Sequence, residues 1–312
     1  MIHTRTMLIL ILRGEYVYII HNPYANRWKS EKIWTQLRAE LIKRGAEFEY
    51  VCSEFPGHAE ELALIAAQKG YTPIVAAGGD GTIGEIINGI MRGWQINTPP
   101  TLGVIPLGTA NDFVANLKLP SNPMDSINLI MNSDKRVSVD VCRANDRYFI
   151  NNSAIGLEPL ITIIQQNMTH FHGILRYLVA ALNGIFRNPK WNASIQWDQG
   201  IYEGPVNLVT IGNGARTGGL FYMSPHADPS DGLLTAVVAY QPTIYGILKL
   251  LPQTMSVKGR FLQTPGIMEI NSPWISIQLA TPSPAHCDGE LFADPTSTIH
   301  YSILPAAIRV IH

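Results

Sequence analysis

The chain is poor in cysteine and in charge. Of its 312 residues only 3 are cysteine and 15% are charged, whereas 46% are hydrophobic. Cys52, Cys142 and Cys287 are odd in number and far apart, so they match neither a disulfide framework nor the spacing of a zinc site. We therefore expect reduced thiols and a cytoplasmic protein.

Neither sign of charge is in surplus. The chain has 23 Lys and Arg against 24 Asp and Glu, a formal net charge of −1. A dedicated nucleic-acid-binding protein is usually basic, so we predict no nucleic-acid partner. Because net charge does not report how charge is distributed, a local basic patch facing an anionic membrane stays open.

Long apolar runs are also missing. The first run, residues 7–12, is interrupted by Arg13, Gly14 and Glu15 and lacks a small-residue cleavage site. We interpret residues 1–14 as a leader or a first strand. Elsewhere no stretch reaches the roughly 20 apolar residues that a membrane-spanning helix needs.

The first part of the chain alternates strand patterns with helix patterns. Ser30 is predicted to cap a helix carrying Leu37 and Leu41 on one face, with Gly45 as its stop. Predicted strands cover 16–20, 48–52, 73–77 and 101–106, and further predicted helices cover 60–68, 83–91 and 124–131. This alternation predicts an α/β domain with a parallel sheet.

The pattern changes near residue 137. Eight short strand patterns follow, interrupted by helical stretches at about 158–187 and 242–258. They predict a mostly antiparallel β-sandwich domain. Since a chain this long exceeds one ordinary core, we predict domains at 1–136, joined by a returning segment 301–312, and at 137–300.

A glycine-rich turn follows the third predicted strand, reading Gly78-Gly79-Asp80-Gly81-Thr82. Glycines let consecutive N–H groups face a phosphate, and the next helix directs its positive end to the same place. Asp80 would repel phosphate unless a cation bridges them, and Mg²⁺ is the natural bridge. A plain strand-to-helix turn is the alternative interpretation.

A second turn follows the next strand, reading Pro106-Leu107-Gly108-Thr109-Ala110-Asn111-Asp112-Phe113. Ligands of open parallel sheets bind beyond the carboxyl ends of the strands. Both turns are predicted at such ends. Together they suggest two walls of a nucleotide site, although an N-cap with an Asx-turn is the alternative for the second.

The two turns together resemble the diacylglycerol kinase catalytic family, which includes soluble bacterial lipid kinases, sphingosine kinases and ceramide kinases. The first turn alone is shared with NAD kinases and resembles a phosphofructokinase motif. The resemblance continues through Asn22-Pro23-Tyr24-Ala25, Asp140, Gly212-Asn213-Gly214, Asp228, Asp231-Gly232-Leu233-Leu234 and Asp288-Gly289-Glu290. It implies a first domain of the NAD kinase and phosphofructokinase type.

The resemblance implies a role for each matching residue. Glu290 is the general base that accepts the proton of a lipid hydroxyl, Asp80 acts through Mg²⁺, and adjacent His286 is interpreted as incidental. Asp231, Asp228 and the backbone of Leu233 are expected to hold a second, structural Mg²⁺. The residues expected on the nucleotide are Asn22, Ser53, Gly78, Gly79, Asp80, Gly81, Thr82, Glu85, Thr109, Asn111 and Asp112.

The resemblance therefore implies an ATP- and Mg²⁺-dependent kinase that converts diacylglycerol, or a related lipid alcohol, to its phosphate. Partners would be ATP and a membrane-derived lipid, with peripheral membrane contact, and a homodimer is a possible assembly. The apolar stretch 171–187 is expected to line the acyl-chain entrance, to lie on the membrane, or simply to pack on a sheet. The rivals are an NAD kinase, which should carry an Asn-Glu pair where this chain has Asn111-Asp112, and a non-catalytic nucleotide or lipid sensor.

Overall fold

The computed structural model describes residues 11–12, 15–168 and 173–312. They form two compact units, Met1–Val139 with Ala306–His312 and Asp140–Pro305. Most of the proposed leader, residues 1–14, lies outside the described residues. Its described pair, β1 (Ile11–Leu12), is antiparallel to β2 (Glu15–Tyr16).

The first unit is an α/β domain. Its remaining elements are β3 (Tyr18–His21), α1 (Lys29–Lys43), β4 (Glu49–Cys52), α2 (His58–Gln68), β5 (Ile74–Gly78), α3 (Asp80–Gly93), β6 (Thr101–Pro106), α4 (Asp112–Asn116) and α5 (Pro123–Asn132). The strands are parallel in the order β4-β3-β5-β6. The end of the last strand, β18 (Thr296–Ile311), adds to β6 in parallel through Arg309 and Val310.

Helix α3 shows why the sequence pattern was readable here. Its residues Ile83, Ile86, Ile87 and Ile90 are completely buried, as their helical spacing predicts. Strand β5 is buried along its whole length, which is typical of a parallel strand covered on both faces. These two elements place the glycine-rich turn at the carboxyl end of the sheet.

The second unit is an antiparallel β-sandwich. It begins within β7 (Arg136–Ala144) and continues with β8 (Arg147–Phe149), β9 (Asn152–Gly156), α6 (Leu157–Gln166), α7 (Gly173–Phe186), β10 (Trp191–Trp197), β11 (Gly200–Val206), β12 (Leu208–Gly212), β13 (Leu234–Ala239), α8 (Ile244–Leu250), a 3₁₀ helix (Arg260–Gln263), β14 (Ile267–Ser272), β15 (Trp274–Ser283), β16 (Ala285–Cys287), β17 (Glu290–Leu291) and the start of β18. One sheet has the order β14-β13-β12-β9-β16-β17. In the other, β11, β10, β15 and β18 are neighbours in that order, and β7 pairs with β18 and β8.

The two sheets of the second unit share one core. Ile195 and Ile277 from one sheet and Ile155, Val209 and Leu234 from the other belong to the same buried cluster. Face-to-face packing of two antiparallel sheets defines a sandwich. The predicted fold class, an α/β domain followed by a β-sandwich, is confirmed.

Two local predictions are wrong. Ser30 is the second residue of α1 rather than its cap, and its Oγ lies 3.0 Å from His21 Nε2. In the stretch 242–258 only α8 is helical, because Pro252 lacks the N–H that would continue it.

The other predicted helical stretch, 158–187, is occupied by two helices, α6 and α7, and its residues 169–172 lie outside the described residues. Among the helices that the structure describes, none combines the length and the apolar character needed to span a bilayer.

Candidate nucleotide and phosphoryl-transfer site

The two glycine turns of the first unit lie side by side. Gly78 and Pro106 are register partners at the ends of β5 and β6, and the Leu107 N–H donates to the Gly78 carbonyl at 2.8 Å. A Cβ added to Gly79 would lie 3.0 Å from the Gly108 Cα. Only glycine fits such a close approach of two backbones, so these glycines are needed to bring the turns together.

Asp80 links the two turns. It opens α3, and its Oδ1 accepts a hydrogen bond from the Phe113 N–H, in the first turn of α4, at 3.0 Å. A carboxylate is favourable at the amino end of a helix, because it satisfies an N–H group that has no partner within that helix. Asp80 therefore fixes the second turn in addition to any role toward a cation.

Asn22 and Thr82 hold the first strand's turn against the glycine turn. Asn22 Nδ2 donates to Thr82 Oγ1 at 3.0 Å, and the Asn22 N–H donates to the Ala77 carbonyl at 3.0 Å. The Thr82 side chain occupies the space above Gly78, where an added Cβ would meet the Thr82 Cβ at 2.6 Å. Gly81, which precedes Thr82 in the sequence, is half-buried.

Glu85 caps a neighbouring helix. Its two carboxylate oxygens accept from the N–H groups of Gly57 and Ala59, at 3.0 and 3.1 Å, at the start of α2. Ser53, which precedes this helix, is only 4% exposed, and its N–H donates to the His21 carbonyl at 2.8 Å. The structure thus gives Glu85 a positioning role, which the sequence did not reveal.

The second turn is shaped by Asn111. This residue has a left-handed backbone (φ 48°), and its Oδ1 accepts from the Gly108 N–H at 3.1 Å. Thr109 Oγ1 donates to Asn26 Oδ1 at 3.4 Å, and Asp112 is buried at the start of α4. All the residues predicted to contact nucleotide therefore lie around the carboxyl ends of β3, β4, β5 and β6 in the first unit.

In the second unit, Glu290 follows a two-residue hairpin turn. Asp288 (φ 49°) and Gly289 (φ 83°) connect β16 to β17, and Glu290 is exposed. Two successive left-handed residues are typical of the hairpin turns that match strand twist. The general-base candidate is therefore presented on a short, rigid turn.

Asp288 anchors this turn with its side chain. Its carboxylate accepts from three consecutive N–H groups, those of Ile150, Asn151 and Asn152, at 2.9, 2.9 and 3.0 Å. In return, the Asp288 N–H donates to the Asn152 carbonyl at 2.8 Å. The Asp of the motif thus holds the hairpin against the start of β9, a role that the sequence did not assign.

His286, interpreted from the sequence as incidental to the chemistry, is buried and hydrogen-bonded. Its side chain is 2% exposed, with Nε2 lying 3.1 Å from Glu158 Oε1. Its Nδ1 accepts from the Gly289 N–H at 3.3 Å. A buried histidine next to an acidic turn was the available signal, but its partner on α6 was not visible in the sequence.

The loop between Asp228 and Leu233 is rich in carboxylates that bind their own backbone. Asp228 Oδ1 accepts from the Ser230 N–H at 3.0 Å, and Asp231 Oδ1 accepts from the Leu233 N–H at 2.9 Å. Buried Asp140 accepts from the Gly232 N–H at 2.7 Å. Burial, followed by the negative charges of Asp228 and Asp140, raises the pKa of Asp231.

This donor set suits a hard cation in its chemistry. Carboxylate and carbonyl oxygens are the ligands that Mg²⁺ prefers, and a cation would offset the negative charges of Asp228 and Asp140 near Asp231. Across the part of the chain that the structure describes, no group of three or more His, Cys, Asp or Glu side chains is placed to hold a metal ion. A cation here would therefore need backbone carbonyls and water to complete its shell.

Each of the two units resembles a known protein family. Residues 16–144 match the diacylglycerol kinase catalytic domain, and residues 152–312 match the YegS C-terminal NAD kinase beta sandwich-like domain. A diacylglycerol kinase from Staphylococcus epidermidis is 30% identical over 275 residues, covering 87% of this chain and 84% of the relative.

Two solved structures share the fold. A diacylglycerol kinase from Bacillus anthracis has a TM-score of 0.76 at 24% identity, covering 95% of this chain and 96% of the other. Yeast NADH kinase has a TM-score of 0.53 at 12% identity, covering 94% and 82%. With both of its units matched in order and a curated relative at this identity, the chain belongs to the diacylglycerol kinase family of lipid kinases.

Proposed function

We propose that this protein transfers the γ-phosphate of ATP to the hydroxyl of diacylglycerol, giving phosphatidic acid and ADP. The observation that carries the proposal is the pair of glycine turns, held together by the hydrogen bond that the Phe113 N–H donates to Asp80. Glycine turns at the carboxyl ends of parallel strands, each leading into a helix, are suited to binding nucleotide phosphates. The acceptor is proposed from the curated diacylglycerol kinase relative.

In this proposal the two units have different roles. The first unit, from the start of the chain to about residue 136 with the returning C-terminal segment, holds the nucleotide. Its contacts come from Asn22, Ser53, the 78–82 turn, Thr109 and the Asn111-Asp112 pair, while Glu85 supports the loop before α2. The second unit supplies Glu290 and the lipid-acceptor site.

The reaction exchanges one phosphorus–oxygen bond for another and moves one proton. The lipid hydroxyl oxygen attacks the γ-phosphorus, the bond from that phosphorus to the β,γ-bridging oxygen breaks, and ADP leaves. Glu290 accepts the hydroxyl proton, and its exposed position on a rigid turn is suited to this. Most of the rate enhancement in phosphoryl transfer comes from positioning and charge stabilisation.

Asp80 is proposed to act toward Mg²⁺ and Asp231 toward a second, structural Mg²⁺. Asp80 is half-buried beside the two turns, and Asp228 together with the Leu233 backbone completes the second site. Bound Mg²⁺ would neutralise the negative charge of the phosphates. The side chains themselves orient the turns on which the nucleotide lies.

Helices α7 and α8 are proposed to contact the membrane that supplies the lipid. Ala180, Ala181 and Ile185 bury one face of α7 together with Ile247 of α8. The opposite face of α7 exposes Leu175, Leu178, Leu182 and Phe186, and α8 exposes Tyr245. Between residues 159 and 197 the sequence has no Asp or Glu, so nothing acidic on this stretch would repel an anionic lipid surface.

The function is tested by phosphate transfer from γ-labelled ATP in mixed micelles containing Mg²⁺. Diacylglycerol should become labelled, whereas NAD⁺ offered in its place should not. A sphingoid base is the third acceptor to be compared. Labelling of NAD⁺ alone would support the NAD kinase alternative, and ATP binding without labelling of any acceptor would support the sensor alternative.

Membrane contact is tested separately by co-sedimentation with vesicles containing phosphatidylglycerol. Leu182→Ser combined with Phe186→Ser should lower the bound fraction several-fold, because it removes two apolar side chains from the exposed face. Ile201→Ser, at an exposed apolar residue of β11, is the matched control and should bind as wild type does. Equal binding by all three proteins would contradict this contact.

A further inference from the structure

The hairpin that carries Glu290 rests on a chain of hydrogen-bonded polar side chains, of which Asn152 and His286 are buried and Thr217 and Glu158 half-buried. Thr217 Oγ1 donates to Asn152 Oδ1 at 3.0 Å, and Asn152 Nδ2 donates to Glu158 Oε1 at 3.2 Å. The same oxygen lies 3.1 Å from His286 Nε2, and His286 Nδ1 accepts from the Gly289 N–H. The chain thus ends on the residue immediately before Glu290.

The hydrogen bonds fix the tautomer of His286. The Gly289 N–H can only donate, so Nδ1 must be the nitrogen that carries no proton. Nε2 then carries the proton and donates it to Glu158 Oε1. Glu158, in the first turn of α6, is therefore the group that orients the imidazole.

Asp288 and His286 hold different halves of the hairpin turn. Asp288 anchors the start of the hairpin turn through three amides of the residues before and within β9. His286 contacts the other half of the turn, between Asp288 and Glu290. The Glu290 side chain is exposed, so the backbone of this half-turn sets the direction in which its carboxylate leaves the sheet.

We infer that His286 is a positioning residue for Glu290, held in its acceptor tautomer by Glu158, and that it acts through the Gly289 N–H. This inference rests on the proposed function, in which Glu290 accepts the proton of the lipid hydroxyl. A general base must stay within hydrogen-bond reach of the proton that it removes. Movement of the half-turn by about 1 Å would lower the turnover rate without disturbing the nucleotide turns of the first unit.

Two substitutions separate the two nitrogens of His286. The Asn side chain places its carbonyl oxygen where Nδ1 lies, so His286→Asn retains an acceptor for Gly289 but no longer reaches Glu158. The Gln side chain places its amide where Nε2 lies, so His286→Gln retains the donor to Glu158 but loses the acceptor for Gly289. His300→Gln, at an exposed histidine on β18, is the matched control.

The experiment measures kcat, the KM for ATP and the deuterium uptake of a peptide covering residues 286–292. We expect His286→Gln to lower kcat about tenfold with the KM for ATP within twofold, and to speed uptake in this peptide. His286→Asn should stay within about threefold of wild type in kcat. If His286→Gln does not fold, Glu158→Ala replaces it: because this change frees the imidazole, we expect faster deuterium uptake in the same peptide, about a threefold loss of kcat and a KM for ATP within twofold of wild type.

Either of two results would overturn the inference. One is equal loss of kcat in the Asn and Gln variants, in proportion to a lowered Tm, which indicates a purely structural role. The other is unchanged deuterium uptake in His286→Gln. If the wild-type protein labels no lipid, the proposed function fails, and the uptake measurement still decides whether His286 holds the turn.

Discussion

The turn at Gly78-Gly79-Asp80 and the turn at Asp288-Gly289-Glu290 are held in different ways. In the first, two backbones touch, because Gly79 and Gly108 have no Cβ between them. The second turn is held by side chains, because Asp288 and His286 accept hydrogen bonds from backbone N–H groups. A backbone contact is broken by adding an atom, whereas a side-chain anchor is broken by removing one.

The aspartates of the two turns also differ in what they bind. Asp80 and Asp288 both accept hydrogen bonds from the backbone of a distant segment: Asp80 from the Phe113 N–H, and Asp288 from three consecutive N–H groups that precede and open β9. Asp80 lies beside the proposed phosphate position and can serve a cation as well. Asp288 holds the hairpin turn through its carboxylate, and Glu290 is the exposed carboxylate of this turn that we propose as the base.

The largest expected effect is that of Glu290→Gln. Loss of the proposed base should lower kcat by about 100-fold or more, because the amide cannot accept the hydroxyl proton. ATP affinity should stay within about twofold, since the nucleotide turns are in the first unit. Glu203→Gln, at an exposed carboxylate of β11, is the control and should behave as wild type. A near-normal kcat for Glu290→Gln would show that another group takes the proton.

Asp288→Ala should lower stability more than any change at the first turn. Three N–H groups lose a charged acceptor, and we expect a loss of about 3 kcal/mol in the free energy of unfolding, together with loss of activity. Urea denaturation measures it. Exposed Asp294→Ala is the control and should change stability by less than about 0.5 kcal/mol. Similar midpoints for both variants would contradict the anchoring role.

Gly108→Ala should weaken ATP binding while costing moderate stability. The new Cβ would lie 2.6 Å from Asn111 Oδ1 and would also meet the Gly79 backbone, so the two turns must separate. We expect about 1–3 kcal/mol of destabilisation and a weaker Kd for ATP by calorimetry. Gly45→Ala is the comparison: its φ of 73° costs stability through strain, but its Cβ would meet nothing within 4 Å. Only Gly108→Ala should change the Kd for ATP, and an equal Kd in both variants would contradict the proposal that the two glycine turns bind the nucleotide.

The smallest expected effect concerns Asp231. Its raised pKa means that the folded protein holds this proton more tightly than the unfolded chain, so without metal this group's contribution falls as pH rises past the ordinary aspartate value. Mg²⁺ should reverse this by stabilising the charged form, raising the Tm at pH 7 by about 2–4 °C. Asp231→Asn should remove the Mg²⁺ effect, whereas Asp198→Asn should keep it. A Tm that does not respond to Mg²⁺ in the wild type would rule out this ion site.

Much of the fold could be predicted from the sequence, because buried residues recur with the period of the helix or strand that carries them. The four isoleucines of α3 and the apolar run of β5 predict a helix and a buried strand, and their junction predicts a glycine turn at a strand end. The antiparallel strands of the second unit were likewise predicted from short apolar runs between turn residues. These signals are local, and each needs only neighbouring residues.

The contacts that shape the site could not be predicted in this way. Three of them join segments that are far apart in sequence: the hydrogen bond that the Phe113 N–H donates to Asp80, the cap that Glu85 places on α2, and the contact between Glu158 and His286. A serine before an apolar helical pattern predicts a cap at Ser30, whereas α1 starts earlier, after Trp28 with its left-handed backbone. Tertiary contacts of this kind follow from the packing of whole elements rather than from local propensity.

The most direct test of lipid phosphoryl transfer is the stoichiometry of one reaction followed by ³¹P NMR. Wild-type protein, ATP, Mg²⁺ and diacylglycerol in detergent micelles should yield one phosphatidic acid for each ADP formed, with Glu290→Gln yielding neither above background. Formation of ADP and inorganic phosphate without phosphatidic acid would contradict the account, because the γ-phosphate would then pass to water instead of the lipid hydroxyl.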